Sequence, residues 1–459
     1  MSFFAKLGNA IWTPWLLGLF LVVGSYYSFR TGFFQLFGIR TWWGRTVGTL
    51  RRGRKKRNGR RGAISQLQAM STALAATIGT GSIAGVATAI FYGGPGAVFW
   101  MWVSAFLGMM TGCAEKTLAV RYREKDPAGG WRGGPMCYIR DGLGLKWLAA
   151  LFSAVCVGQT LAGGNLVQAN SIATALNNAF GADKLTVGLV TAALTGIVVL
   201  GGIRRIGAVS ERLVPAMALL FVGSGAVVIA LHADALPGVF RDIVQYAFQP
   251  KAAVGGYGMG LAMRFGIARG VFTNEAGLGT SAIAHAAADV EEPAEQGMWG
   301  IFEVFTATLV VCTVTALVIL TSGVYTVEGA LAAIRTGDVP ASMLGAPLTS
   351  TAFATVFGSW GPVIVSVSLM LFAFTSLLGS CYYGQRGVES LTHRPGAVWC
   401  YRAVFLVVIV LGSLGDLTIV WQLVDVCNGL LALPNLLALL LLSPEALRLI
   451  KDTVNQKQC

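Results

Sequence analysis

Two short stretches concentrate residue types able to do chemistry in an otherwise apolar chain. The first, "ATIGTGSIAG", sets Thr77, Thr80 and Ser82 among Gly79, Gly81 and Gly85. The second, "RGVFTNEAGLG" (269–279), carries Arg269, Thr273, Asn274 and Glu275 among small residues. Glycine weakens a helix interior. A helix unwound at membrane depth frees carbonyls for a cation and N–H groups for a carboxylate. "GTGSIA" also fits the GxGxxA form of the dinucleotide fingerprint, but that motif needs a preceding strand and a βαβ unit, and apolar spans flank it here. Small-residue packing through Gly81 and Gly85 accounts for the glycines. It leaves the three hydroxyls unexplained. Ionisable groups at membrane depth face cavities or one another, so Arg269 and Glu275 are expected to brace the second break, by pairing with each other or by contacts to freed carbonyls. Its glycines, Thr273 and Asn274 are then the candidates for lining a site. Further polar side chains sit at "GNLVQANS" (Asn165, Gln168, Asn170) and "LFAFTSLLGS" (Thr375, Ser376, Ser380). Each of these alone is equally well read as a bond to a neighbouring helix. Asp416, Trp421, Asp425 and Asn428 are assigned no chemistry.

The elements that must position these residues are membrane spans. The 459 residues are 55% hydrophobic and only 12% charged, with mean hydropathy +0.66. A soluble domain carries about twice as many charges. Apolar runs of spanning length recur throughout, which predicts an all-α polytopic membrane protein with about eleven transmembrane helices. No Ala-x-Ala site follows residues 11–28, so that segment is read as a retained helix and not a cleaved signal. The expected spans are about 9–28, 66–91, 96–121, 146–178, 185–201, 210–232, 253–287, 296–323, 345–385, 397–414 and 416–442. The organisation that follows is an extra N-terminal helix in 1–30 and a basic cytoplasmic loop over 31–65. Two five-helix repeats, 66–232 and 253–442, come next, and a cytoplasmic tail, 443–459, closes the chain. Each polar stretch falls in the first span of its block of five. Five is odd, so the blocks insert with opposite orientation, as in inverted-repeat transporters with a site made by two broken helices.

The net charge of +13 is concentrated in "RRGRKKRNGRRG" (51–62). This reads as a positive-inside signal that touches anionic lipid, not as a nucleic-acid site. With that loop in the cytoplasm, 26 of the 34 Lys and Arg fall on the cytoplasmic side and five opposite, with Lys116, Arg264 and Arg269 in or near spans. The N-terminus is then outside and the C-terminus inside. The eight cysteines form no CxxC or Cys/His cluster, which predicts free thiols and no metal site. Neither HExxH nor GxSxG occurs, which argues against an intramembrane enzyme. No ring of like groups repeats as a channel would need.

The segments "GTGSIAGVATAIFYGGPGAVFWMW", "AEKTLAVRYR", "RGGPMCYI", "RGVFTNEAGLGTSAIAHAAA", "LFAFTSLLGSCYYG" and "WQLVDVCNGLLALPN" run in order over roughly residues 10–445. They resemble the alanine or glycine:cation symporter family, also called sodium:alanine symporters. The resemblance implies a LeuT-like fold, a 5+5 inverted repeat with one extra N-terminal helix, in a prokaryotic plasma or inner membrane. It also implies import of a small neutral amino acid, with sodium as coupling ion and no other cofactor. The partners implied are that amino acid, sodium and lipid, with no nucleic acid, for a monomeric unit. Proton coupling, through Glu275 or Glu303, is the alternative. Carried over by motif, the amino acid lies against Thr80, Gly81 and Ser82 of the first break and Gly270, Thr273 and Asn274 of the second. Gln168 falls on a family pocket position. Sodium lies between carbonyls near Ala76 and Gly79 and the hydroxyls of Thr375 and Ser376. The chain departs from the family pattern in Ser82 (for Asn), Ser380 (for Trp), Ala307 (for Asp, with Glu303 one turn earlier) and Gln385 (for an acidic residue). Loss of the Asn and Trp side chains predicts a roomier pocket and a neutral substrate larger than alanine, with a glutamine-like or medium aliphatic side chain.

Overall fold

In the computed structural model the chain is described over residues 7–8, 10–51, 63–126, 129–249, 258–392, 394–415 and 418–455. Most of the basic run (52–62) and Asp416 lie outside those residues. A chain this apolar satisfies its backbone in lipid by forming helices. The described residues are helices and connections, apart from a two-stranded ribbon (Glu124–Lys125 with Trp131–Arg132) and a lone bridge between Ile64 and Ala288.

The main helices of the first half are α1 (Pro14–Arg30), α2 (Gln66–Thr77), α3 (Ala84–Gly93), α4 (Gly96–Arg121), α5 (Lys146–Leu161), α6 (Val167–Phe180), α7 (Lys184–Val199), α8 (Gly202–Leu231) and α9 (Leu236–Phe248). The second half holds α10 (Met259–Asn274), α11 (Thr280–His285), α12 (Pro293–Val304), α13 (Thr313–Thr321), α14 (Val327–Thr336), α15 (Gly345–Phe357) and α16 (Trp360–Leu391). It ends with α17 (Pro395–Leu414), α18 (Thr418–Leu441) and α19 (Ser443–Asn455). Local chemistry sets these boundaries. Ser65 caps α2 through a reciprocal box with Gln68. Proline opens α1, α12 and α17, where its missing N–H has no helical acceptor to lose.

Among the described residues, seven helices are long and apolar enough to cross a membrane. The other four expected spans correspond to α1, of 17 residues, α7, of 16 residues, and the two interrupted pairs α2–α3 and α10–α11. One expected span is corrected. Residues 345–385 are not a single helix, because the chain reverses at Gly358 (φ 55°) between α15 and α16. The two then pack so closely that a Cβ at Gly361 would meet the Ala354 backbone nitrogen at 2.4 Å.

Helix α4 lies at the centre and packs against α1, α9, α10 and α12, while α16 packs against α2, α5, α6 and α8. Exposed Leu219, Leu231, Val407 and Leu411 on α8 and α17 face outward. In lipid such a surface needs no polar cover.

Candidate functional site

The first break is explained by following its backbone bonds. In an uninterrupted helix Gly79 N would bond the Ala75 carbonyl and Thr80 N the Ala76 carbonyl. Instead Gly79 N donates to the Thr77 carbonyl at 3.0 Å and Thr80 N to Gln168 Oε1 at 3.3 Å. The Ala75 and Ala76 carbonyls are thereby released. Ser376 Oγ approaches both, donating at 3.1 and 3.0 Å. Gly79 is extended here, and a Cβ on it would sit 2.6 Å from Ser376 Oγ and about as close as 3.2 Å to the Gln168 amide. Only glycine fits. A 3₁₀ turn, Thr80–Ser82, leads into α3, and Thr315 Oγ1 donates to the Ser82 carbonyl at 2.8 Å. The hydroxyls of Thr80 and Ser82 are buried without a hydrogen-bond partner.

The second break begins at Glu275, in the left-handed region (φ 54°), and continues through Gly277 and Gly279, both at positive φ. Asn274 holds this turn, with Oδ1 accepting from Ala276 N at 3.0 Å and Nδ2 donating to Thr308 Oγ1 at 3.2 Å. Both atoms of the amide are therefore engaged by the protein in this conformation. Gly270 faces α4, where a Cβ would lie 2.7 Å from Ser104 Oγ. Thr273 donates back to the Arg269 carbonyl at 2.8 Å. A Cβ at Gly81 would meet Phe272 at 2.8 Å and Thr273 Oγ1 at 3.2 Å, so the two breaks touch through these residues.

Between them lies a small cavity of about 20 Å³. Ala76, Gly79, Gly81, Gln168 and Ser380 reach its wall, as expected from the sequence. Thr80, Ser82, Gly270, Thr273, Asn274, Thr375 and Ser376 do not. The Thr375 hydroxyl donates to the Phe372 carbonyl at 3.0 Å and lies 3.5 Å from Met217 Sδ. The extra room expected at Ser380 is taken up in this conformation by the approach of Gly164, where a Cβ would lie 2.5 Å from Ser380 Oγ.

The expected Arg269–Glu275 pair is also corrected. Arg269 Nη1 meets Asp425 Oδ1 at 3.4 Å, and its guanidinium lies over the rings of Phe272 and Trp421. Those rings are 5.9 Å apart. Together they separate the small cavity from a vestibule of about 830 Å³ bounded by Gly85, Asn170, Arg269, Gly345 and Trp421. Glu275 instead accepts from Thr280 Oγ1 at 2.5 Å and faces the cavity.

Behind the second break sits a charged cluster that sequence reasoning missed. Lys116 Nζ lies 3.5 Å from Glu115 Oε2 and 3.4 Å from Glu303 Oε2, and all three side chains are fully buried. His285 Nε2 meets Glu303 at 3.0 Å and its Nδ1 meets Gln296 at 2.7 Å. Glu115 Oε1 accepts from Gly277 N at 2.8 Å and Asn435 Nδ2 at 2.6 Å, and Tyr138 donates to Asn435. The cluster ties α4, α11, α12 and α18 to the unwound turn. The available signal was "EK" inside an apolar segment, with its partners 162 and more residues away.

The remaining polar candidates are packing bonds. Asn165 donates to the Phe405 carbonyl at 2.7 Å, and Asn170 to those of Gly412 and Gly415. Gln385 joins Glu389 to Arg402, donating to the first and accepting from the second, each at 2.8 Å. Ala307 is buried in a π-wound turn, Phe305–Cys312.

Comparison with known proteins places this geometry. The sodium:alanine symporter family matches residues 1–459. The chain is 41% identical to an uncharacterized transporter of Haemophilus influenzae, over 98% of this chain and 95% of the relative. It is 39% identical to the sodium/alanine symporter AgcS of Methanococcus maripaludis, over 96% and 95%. It is 37% identical to the probable sodium/glutamine symporter GlnT of Bacillus subtilis, over 98% and 90%. Among solved structures, the manganese transporter of Eremococcus coleocola shares the fold, with a TM-score of 0.51 at 14% identity over 84% of this chain and 78% of that one. With its paired broken helices in a LeuT-like, multi-pass helical fold, the chain belongs to the sodium:alanine symporter family, whose members are transporters and not enzymes.

Proposed function

We propose that the protein imports a neutral amino acid together with sodium by alternating access. One observation carries this reading. The Ala75 and Ala76 carbonyls, released by the first break, converge on the Ser376 hydroxyl beside a cavity that the second break also reaches. Such an oxygen set suits a hard cation, while the broken-helix N-termini suit a carboxylate. The relatives named as sodium/alanine and sodium/glutamine symporters support the same pairing of cargo and ion. In this reading residues 66–232 and 253–442 are the two inverted repeats. The membrane is the prokaryotic plasma membrane, with the N-terminus outside and the C-terminus in the cytoplasm. The amino acid's main chain lies against Thr80–Ser82, Gln168 and the Gly270–Asn274 stretch.

A second reading, proton coupling, is favoured by the buried Glu115–Lys116–Glu303–His285 cluster and by Glu275 on the cavity wall. Uptake by purified protein in proteoliposomes separates the two. An inward sodium gradient is expected to drive accumulation of alanine or glutamine at uniform pH. Accumulation driven equally well by a proton gradient in choline would replace sodium with protons.

A further inference from the structure

We propose that Asn428, with Ser380, forms a subsite that recognises a carboxamide on the substrate side chain, so that glutamine-like amino acids are the preferred cargo. The proposal rests on the neutral amino acid reading above and adds the side-chain class. Asn428, on α18, is 1% exposed, lies on the wall of the small cavity, and has no hydrogen-bond partner at either Oδ1 or Nδ2. A buried amide with both atoms unpaired is costly, and such exceptions call for a ligand or another specific explanation.

Gln159 and Ser380 also lie on that wall, and three of its other polar groups are already engaged. Gln168 accepts from Thr80 N and donates to the Gly163 carbonyl at 3.2 Å. The Thr77 hydroxyl donates to the Leu74 carbonyl, and Glu275 holds Thr280. Asn428 therefore offers the cavity a donor and an acceptor side by side, and its complement is a group of the same kind. A carboxamide pairs with both atoms. An aliphatic side chain leaves both unpaired, and a site built to hydrogen-bond rejects the analogue that cannot reciprocate by large factors. A cationic side chain would bring its charge against the Nδ2 hydrogens.

Ser380 reaches the same cavity, and Gly164 closes against it in this conformation. The cavity of about 20 Å³ accommodates roughly one water, so the subsite must widen as the amino acid enters.

The test compares uptake of labelled glutamine and labelled alanine into proteoliposomes of the full chain. Wild type is expected to take up both and to favour glutamine. In Asn428→Leu the glutamine-to-alanine ratio of transport efficiencies is expected to fall at least tenfold. Asn428→Ala serves as the second variant if the leucine does not fold. Three outcomes overturn the proposal. Wild type takes up alanine and not glutamine, the ratio is unchanged in both variants, or both variants lose the two substrates together. Preferential uptake of lysine would also overturn it, because Glu275 would then set the side chain. If glutamine is taken up without sodium, the coupling reading fails while the subsite stands.

Discussion

Ser376 and Thr375 are neighbours in sequence and differ in what they reach. Ser376 Oγ meets the two carbonyls released by the first break, while Thr375 bonds within its own helix and faces Met217. A hydroxyl already at the released carbonyls is the side chain whose loss a bound cation would feel. Ser376→Ala is therefore expected to raise the sodium concentration for half-maximal uptake about tenfold, and Thr375→Ala to raise it less. Initial uptake rates over a sodium series measure this, and an unchanged midpoint in Ser376→Ala would remove the residue from the ion site. The sequence exposed these residues because hydroxyls and glycines are anomalous in a lipid span. It did not expose the role of Asn428 or the Lys116 cluster, since the first reads as one more polar residue within the last span. The second becomes visible only when α4, α11 and α12 bring Lys116, His285 and Glu303 together. Asn274 illustrates a related point. A polar residue at a break can serve the turn itself, and that use has the same sequence signature as a ligand.

At the scale of elements, regular spans were legible and their interruptions partly so. Gly96–Arg121 coincides with the expected 96–121, because Pro95 opens the helix and a run of apolar residues carries it across. The merger of 345–385 failed because hydropathy is blind to a reversal at one glycine; Gly358 costs the profile nothing and turns the chain back on itself. The π-wound turns in Ala162–Leu166 and Phe305–Cys312 are equally silent in the sequence. The contact between α10 and α18 has a functional consequence. Arg269 and Asp425, with Phe272 and Trp421, form the barrier between vestibule and cavity. The pair is partly exposed, 15% and 36%, so its electrostatic contribution is modest. Its position in the path is what matters. Asp425→Asn is expected to speed release of bound amino acid toward the vestibule severalfold. Dissociation of labelled substrate from protein held in sodium reports this, and an unaltered off-rate would show that the rings alone hold the barrier.

The whole molecule is oriented by charge. Crossing lipid is costly for Lys and Arg, and the side with more of them near the span ends stays in the cytoplasm. Here that excess is large: 11 basic residues lie between positions 30 and 61, in the connection from α1 to α2. The tail adds Arg448, Lys451 and Lys457, and an even number of crossings between the two returns the chain to the same side. The fold is consistent with this count only if α1 crosses once and each broken pair, α2–α3 and α10–α11, crosses as one span. Orientation thus tests the architecture as well as the direction of transport, because the vestibule beside α3 and α15 would then open outward and receive substrate from outside. A membrane-impermeant thiol reagent applied to intact cells decides it on a cysteine-free background. A single cysteine placed at Ser2 is expected to be labelled. One placed at Asn58 is expected to react only after the membrane is permeabilised. The reverse pattern would invert the molecule and make the large vestibule cytoplasmic. Labelling at both positions would mean that α1 does not cross, leaving an even count of spans with both termini outside.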